Sequence, residues 1–410
     1  MRGAGDQFSV GERVTFYRRR RGLTQRVLAD LVGRSEDWLS KIERGERELR
    51  RLDVIAELAQ ALRVSVGDLL GQPVLVEARE KPDHEDIPAI RTALMNHRRL
   101  STVLFPDQTR QHPPRLDAVE QLTTSSRRRF LNGELGDVIA VLPRLITEAQ
   151  NLEDGTAQNL HHAFALSSRI HHLASSTLTK VGEADLAWIA AERAMAAADR
   201  SSEPRVIAAA ARAGASALMA IGRFDDSLQV ASQAARWIGQ QVGSDARTDP
   251  VVLSLSGMLY LRSAEAAALA GDRQTAYEML EMADQAAKRL GADANYWQTN
   301  FGPTNVMLHR VSIGLDLDDI ATVLNFGPDI DASKVTSERA ASWRIHLAHA
   351  FAVSARDDEA LGWLLAAQED AAQLVWHSAL ARETVRSLYR RSVGRNQGLV
   401  ELAERCRAIA

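Results

Sequence analysis

Polar residues between positions 34 and 47 form the first group whose types and spacing predict a chemistry. Leu39 and Ile42 are the only strongly apolar positions of a helix that follows Ser35. The other side chains are charged, hydrogen-bonding or large, namely Arg34, Ser35, Glu36, Asp37, Trp38, Lys41, Arg44 and Arg47. A helix pinned by two aliphatic residues and polar elsewhere is typical of one that reads the major groove of DNA.

A helix-turn-helix must position these residues. Thr24 is suited to cap a first helix, whose apolar stripe is Leu28, Ala29, Leu31 and Val32. Gly33 ends that helix without a Cβ penalty, and Ser35 caps the second. Apolar spacing predicts further helices over 10–21, 52–62 and 64–70, the last capped by Ser65, which gives a five-helix unit.

Several motifs in this unit resemble the Xre-type, lambda-repressor-like helix-turn-helix family. They are RGLTQ, LA at 28–29, GRS at 33–35, WLSKIERGER and ALRVSVGDLL, within about residues 9–71. By that resemblance Gln25 contacts a phosphate or braces the recognition helix, and Glu36, Asp37 and Trp38 enter the major groove. Lys41, Arg44 and Arg47 meet backbone phosphates, or for Lys41 a guanine edge.

Two acids in the first recognition turn depart from common family patterns. Glu36 and Asp37 repel phosphate, so they either accept from cytosine N4 or face away. Trp38 either touches a thymine methyl or packs on Tyr17. A small helical bundle that docks partners instead of DNA is the alternative for the whole unit.

Composition sets the context of this unit. The chain has 410 residues and a net charge of −3, with +3 on residues 1–71 and −6 on the remainder. A modestly basic end on an acidic body suits DNA binding through that end alone. Cys406 is the only cysteine, and no run of about 18 apolar residues occurs, so we expect a cytoplasmic, nucleoid-associated protein with no membrane partner.

From residue 116 onward the pattern is helical and repeats. Small or polar turn residues recur every 39 to 49 positions, near Gly136, Gly182, Gly222, Gly271, Asp316, Ala355 and Gly394. Small or aliphatic residues five positions later allow paired helices to pack closely. The series resembles lengthened tetratricopeptide repeats and predicts an all-α chain that ends in an α-solenoid, with a compact helical bundle as the alternative.

The first helix of each repeat pair lines the concave face in the tetratricopeptide family. By that resemblance the inward residues are Arg169, His172, Ser176, Arg212, Ser216, Glu265, either His309 or Arg310, and His349. Recurring cationic and polar residues favour a groove for an anionic or peptide-like ligand. An ordinary solvated groove, or one filled by the protein itself, is the alternative.

The segment NYWQTNFGPTN, residues 295–305, interrupts the repeats. It combines Tyr296, Trp297 and Phe301 with Asn300 and Asn305 around a helix-breaking Gly-Pro pair. Aromatic rings and amides on irregular chain suit gripping a ligand. The interpretation that we favour is a structural plug packed into a neighbouring repeat.

Catalytic and metal-binding patterns are weak. His161 and His172 share a helix face but lie about 16 Å apart at 1.5 Å per residue, too far for one ion. His346 and His349 have no third ligand nearby, and no phosphate loop, GxSxG or HExxH motif occurs. We therefore expect no enzyme, no metal and no cofactor.

Together these patterns predict three regions: a DNA-binding domain over 1–71, a linker with a connecting helix over 72–115, and a repeat domain over 116–410. A chain with this architecture resembles peptide-pheromone receptors of Gram-positive bacteria. In its WLSKIERGER motif and its composition it resembles more closely the Ala/Arg-rich regulators of actinobacteria. The resemblance implies a homodimeric transcription regulator on an operator in double-stranded DNA, with a small-molecule or peptide effector. A protein-interaction scaffold and a ligand-independent repressor are the alternatives.

Overall fold

The computed structural model describes residues 9–20, 23–47, 49, 52–62, 64, 69, 87–97, 116–154, 160–241, 249–392 and 396–408. Their regular structure is entirely helical, which confirms the predicted all-α class. The chain divides into two compact units, an N-terminal unit of residues 1–83 and a repeat unit of residues 84–410. Within the described ranges, no helix has the length and apolar character needed to cross a membrane.

The N-terminal unit contains α1 (Val10–Arg20), α2 (Gln25–Leu31), α3 (Glu36–Glu43) and α4 (Leu52–Leu62). The Thr24 hydroxyl accepts from the Val27 N–H and the Ser35 hydroxyl from the Trp38 N–H, so both predicted caps are present. The core is formed mainly by fully buried aliphatic side chains, among them Val14, Leu28, Leu39, Leu58 and Leu62. Most of the predicted fifth helix, including its Ser65 cap, lies outside the described residues.

Close approach of α1 to α3 requires a glycine at position 11. A Cβ atom placed on Gly11 would overlap the carbonyl oxygen of Ile42 at the end of α3. The side chain of Val14, one turn further along α1, is completely buried in the same core. The first helix therefore acts as a tightly fitted support for α3.

The helices of the repeat unit are long and mostly paired. In chain order they are α5 (Ile87–Leu94), α6 (Leu116–Leu131), α7 (Leu135–Asp154), α8 (Leu160–Val181), α9 (Ala184–Ser201), α10 (Pro204–Ala220), α11 (Phe224–Gln241), α12 (Pro250–Leu269), α13 (Arg273–Leu290), α14 (Pro303–Asp316), α15 (Ile320–Phe326), α16 (Ser337–Val353), α17 (Asp357–His377), α18 (Ala379–Ser392) and α19 (Gln397–Arg405). Short 3-10 turns cover Tyr296–Gln298 and Gly327–Asp329.

The turns between paired helices share one backbone feature. Gly133, Gly182, Gly222 and Gly271 have φ between 78° and 90°, and Asp318 and Ala355 adopt the same left-handed conformation without being glycine. The first turn is therefore at Gly133 and not at the predicted Gly136, which lies inside α7. Likewise, the degenerate repeat turns at Asp318, two residues after the predicted Asp316. Gly394 lies outside the described residues.

The corrected positions of the turns show which residues pack between the paired helices. Five positions after each corrected turn come residues that are fully buried, namely Val138, Ala187, Ser227, Ala276, Val323 and Ala360. Val141, which the predicted register assigned to this role, is only partly buried. The prediction of a helical repeat was correct, and the turn of its first member was displaced by three residues.

The first helices of successive pairs close into a ring. Each of α6, α8, α10, α12, α14 and α16 contacts the next, and α16 contacts α6. The closure is sealed by the backbone N–H of Gly136, which donates to the Gln373 side chain on α17 at 2.8 Å. A Cβ on Gly133 would overlap Ala371 of the same helix. The solenoid thus turns back on its own first repeat.

Helix α5 belongs to the packed body of the repeat unit. The sequence predicted a connecting helix within residues 72–115, and in the structure this helix runs from Ile87 to Leu94. Ile87, Ile90 and Leu94 are fully buried in the main core cluster of the repeat unit. The predicted boundaries of the three regions remain predictions, but this helix is more than a linker.

Candidate DNA interface and candidate ligand site

A buried ion pair fixes α3, the helix expected to contact DNA, to α1. The Arg18 guanidinium donates from Nε and Nη2 to the two carboxylate oxygens of Glu43 at 2.6 and 2.7 Å, and from Nη1 to the Leu23 carbonyl at 2.9 Å. Gln25 adds a third donor to Glu43 at 2.8 Å. This hydrogen bond corresponds to the bracing contact, one of the two roles expected for Gln25.

The pKa of Glu43 reflects this arrangement. Burial of the carboxylate raises its pKa, but the hydrogen bonds from Arg18 and Gln25 outweigh burial and lower it overall. In this cluster the N–H donors of Arg18 and Gln25 thus face oxygen acceptors, and the carboxylate of Glu43 is paired with a cation. Sequence reasoning missed Arg18 and Glu43 because the two residues are 25 positions apart and both read as surface charges.

The exposed face of α3 carries the residues expected to contact DNA. Lys41 donates to Asp37 one turn earlier at 2.6 Å, so Asp37 partners a cation of its own helix. Arg44 is held by Glu46 at 2.7 Å and by the Ser40 hydroxyl at 2.6 Å. These pairs are exposed and therefore weak. Lys41 and Arg44 can therefore leave these carboxylates for DNA phosphates at a small cost in free energy.

The remaining predicted contacts lie at the edges of the same face. Arg34, Ser35, Glu36 and Arg47 are all exposed. Trp38 is partly buried against the core, as Tyr17 is, and the Arg34 guanidinium lies 5.8 Å from its ring centre. Its indole therefore packs on the core in this structure, with the Arg34 guanidinium over the ring.

Ionised side chains from the ring of first helices form a second cluster. Arg262 on α12 pairs with Glu265 at 2.8 Å, and Glu265 is 2.5 Å from Nδ1 of His309 on α14. Lys180 on α8 reaches Glu338 on α16 at 2.6 Å, and Arg339 lies 3.5 Å from the same carboxylate. Arg262, Glu338, Arg339 and Lys180 were not among the predicted ligand residues.

The protonation states in this cluster follow from burial and pairing. Burial, opposed by Glu265, lowers the pKa of His309 to about 4, so that its neutral ring donates to Glu265 from Nδ1 and accepts from arginine at Nε2. Burial raises the pKa of Glu265, but Arg262 and His309 outweigh it and the pKa falls to about 2. At neutral pH the carboxylates are charged and His309 is not.

Two buried arginines of the ring have no ion pair with a carboxylate among the described residues. Arg212 on α10 is 9% exposed and donates to the Nε2 of His172 at 3.1 Å, while its own Nε is buried without a partner. Arg127 on α6 is 8% exposed, donates to the Gln298 carbonyl at 3.4 Å and lies 5.0 Å from the Phe130 ring centre.

The other predicted groove residues fall into different surroundings. Arg169 pairs with Glu120 at 3.2 Å and is partly exposed. Ser216 donates to the Arg212 carbonyl of its own helix, and His349 contacts Thr384 on α18. Of the alternatives His309 and Arg310, His309 is buried in the cluster, whereas Arg310 is exposed and is not part of it.

The segment between α13 and α14 packs among the first helices. Trp297 lies against two alanine-rich clusters formed by α8 to α12, and Phe301 is completely buried against Gly257, where a Cβ would overlap its ring. Asn300 donates to the Thr336 hydroxyl at 3.2 Å, and Asn305 to the Met258 sulfur at 3.3 Å. These contacts are those of the plug that the sequence favoured.

The plug carries backbone strain. Trp297, Gln298 and Asn300 have φ of 52°, 57° and 52°, the left-handed region that side chains disfavour. Each such residue costs on the order of 1 kcal/mol, least for Asn. The buried Phe301 and the hydrogen bond from Ala294 N–H to the Phe301 carbonyl hold the segment in place.

A separate cavity of about 540 Å³ lies between α5, α7, α8 and α9. Its polar lining includes Glu153, Glu192, Arg193 and Arg200, so acids and bases are balanced there. The Arg200 guanidinium covers the Phe164 ring at 3.8 Å. No residue of this cavity stood out in the sequence.

Comparison with known proteins bears on the N-terminal unit. Residues 9–70 match the family model described as a helix-turn-helix domain. The recognition helix, its caps and its buried brace all lie in that match. No curated protein is similar enough in sequence to count as a relative.

Among solved structures, the chain is similar to Bacillus thuringiensis PlcR, crystallised in complex with the peptide PapR7 and DNA. The similarity covers 69% of this chain and 95% of that one, with 14% sequence identity and a TM-score of 0.33. A score at that level is too low to define a common fold.

Proposed function

We propose that this protein is a sequence-specific DNA-binding transcription regulator whose repeat unit dimerises and responds to an effector. The observation that carries the DNA-binding part is the brace of Arg18, Glu43 and Gln25, which holds α3 from behind and leaves its polar face free. The helix-turn-helix family match over residues 9–70 supports it. Xre type, homodimerisation and the effector class of small molecule or peptide belong to this proposal.

DNA contact should depend on cations that are weakly paired in the free protein. Lys41 and Arg44 should leave exposed carboxylates for phosphate oxygens or, in the case of Lys41, for a guanine edge. Each lost contact should weaken binding about tenfold and make the salt dependence shallower. A homodimer places two α3 helices about one helical turn of DNA apart, so its sites should be palindromic.

The test is genome-wide footprinting of the wild type and the Lys41→Ala/Arg44→Ala variant, with and without a small-molecule cell extract. The matched control is Lys288→Ala/Arg223→Ala, which removes two exposed cations paired with neighbouring acids in the repeat unit. Palindromic sites lost only in the first variant, and shifted in occupancy by extract, are the expected result.

Other outcomes redirect the proposal. Sites that ignore the extract leave a ligand-independent repressor. Absence of discrete sites, together with a stoichiometric protein partner in pull-downs, overturns the regulator in favour of a repeat-based scaffold.

A further inference from the structure

The ring of first helices contains more positive than negative charge. Around the clustered carboxylates Glu265 and Glu338 lie five cations, Arg127, Lys180, Arg212, Arg262 and Arg339, while the neighbouring Arg169 is balanced by Glu120. Arg262 is matched by Glu265, while Lys180 and Arg339 share Glu338. The excess therefore resides on Arg127 and Arg212.

Both excess guanidiniums are more than nine-tenths buried and poorly satisfied. Arg212 has a histidine nitrogen as its side-chain acceptor, and its Nε hydrogen has none. Arg127 has one long hydrogen bond, to the carbonyl of Gln298 in the strained plug. Buried charges in proteins are normally paired or bound to a ligand.

Electrostatics place the two side chains in a common field. Burial first, then Arg127, lowers the pKa of Arg212, and burial, opposed by Glu338, lowers the pKa of Arg127 to about 10. A guanidinium nevertheless keeps its proton at neutral pH. The unfavourable field therefore persists in the ligand-free protein, and a bound anion would relieve it.

We propose that the interior of the repeat unit binds a small ligand through a carboxylate or phosphate group held between Arg127 and Arg212. The oxyanion replaces the Gln298 carbonyl as the acceptor for Arg127 and supplies the missing acceptor for Arg212. Bidentate arginine contacts suit both anions. The inference rests on the effector part of the proposed function and names the chemistry of that effector.

The plug limits the size of this ligand. Trp297 and Phe301 already pack among the first helices, so an extended peptide would have to expel both aromatic side chains. A compact anion has to move only the backbone around Gln298, which is one of the strained residues. The ligand is therefore a small acid or phosphate compound.

The experiment follows thermal unfolding of the full-length protein without DNA. Inorganic phosphate, acetate, succinate and benzoate are added separately, with chloride at matched ionic strength as the baseline. The variants are Arg127→Met and Arg212→Met. The matched control is Arg205→Met, which lies on the same helix as Arg212 but is paired with Asp249.

We expect at least one anion to raise the Tm of the wild type and of the control by about 3 °C or more, with the shift lost in both test variants. The identity of that anion separates a phosphate ligand from a carboxylate ligand. Without added anion, Arg212→Met should melt no lower than the wild type, since it removes a buried unpaired charge. Hydrogen exchange in residues 294–301 should increase when the anion binds.

Absence of any shift, or an equal shift in all variants, would overturn the site. If a methionine variant fails to fold, Arg127→Lys and Arg212→Lys keep the charge and should retain a reduced shift, whereas an unchanged shift in both would count against bidentate binding. The anion shift must persist in Lys41→Ala/Arg44→Ala. Failure of the anion site can therefore be distinguished from failure of DNA binding.

Discussion

The two units differ in whether their buried charged side chains are paired. In the N-terminal unit, the Glu43 carboxylate receives donors from Arg18 and Gln25, and Arg18 also reaches a carbonyl. In the repeat unit, Arg127 and Arg212 are equally buried, but neither has a carboxylate partner among the described residues. A cluster in which charges are paired fixes one geometry. Buried charges without a partner cost free energy until a group of opposite charge binds to them.

The largest expected effect is on the matched cluster. Glu43→Ala leaves Arg18 buried and unpaired, so it should cost about 3–5 kcal/mol in the free energy of unfolding of the N-terminal unit. Urea unfolding followed by peptide-resolved hydrogen exchange measures that unit by itself. Glu46→Ala, which removes an exposed partner of Arg44, is the control and should change nothing measurable. A loss in Glu43→Ala no greater than in the control would contradict the role of the brace.

The second effect concerns the close packing of the plug. Gly257→Ala forces a methyl group into the Phe301 ring and should destabilise the repeat unit by about 1–3 kcal/mol. Gly214→Ala is the matched control, because nothing lies within 4 Å of the added methyl in α10. That variant should be stabilised by about 0.5–1 kcal/mol through helix propensity. Equal denaturation midpoints for the two variants would show that Phe301 is not wedged there.

Acidification should destabilise the repeat unit but not the N-terminal unit. His309 has a pKa near 4 in the folded protein and about 6.5 when unfolded, so the unfolded chain binds more protons between these values. Stability of the repeat unit is therefore complete above pH 6.5 and falls below it, by about 2 kcal/mol at pH 5 from this residue. The lowered pKa of Glu265 adds to the loss only below pH 4.5.

The N-terminal unit is an internal reference for this experiment, since residues 1–83 contain no histidine. Peptide-resolved hydrogen exchange at pH 7 and pH 5, corrected for intrinsic rates, should show weaker protection in the repeat unit only. His309→Gln should reduce that difference. Parallel loss of protection in both units would mean that buried histidine is not the cause.

The smallest effect concerns the exposed pair on α3. Asp37→Asn should leave the thermal midpoint unchanged, because an exposed pair one turn apart contributes little. DNA affinity should rise a few-fold, since Lys41 is released and a negative charge leaves the recognition face. Asp284→Asn, which frees Lys288 from an equivalent pair, is the control. Weaker DNA binding by Asp37→Asn would instead assign Asp37 a base contact.

Local patterns predicted much of the architecture. Thr24, Gly33 and Ser35 act through neighbouring residues, so the helix-turn-helix and its caps could be recognised without tertiary information. The helical period and the recurrence of small residues likewise predicted the repeats. The left-handed turn persists where Asp318 or Ala355 replaces glycine; the sequence located the turn at Ala355 correctly but placed those at Gly133 and Asp318 three and two residues away.

Tertiary structure decided the interior. Arg18 and Glu43, or Lys180 and Glu338, are distant along the chain, and only packing shows whether a charged residue is buried or solvated. Family positions pointed to His172 and Arg212 but could not reveal that Arg127 completes the set, or that Gln298 reaches it. The sequence by itself determined the helices, their caps and their repeat. Closure of the ring decided which charges lose water, because burial depends on all neighbouring helices together.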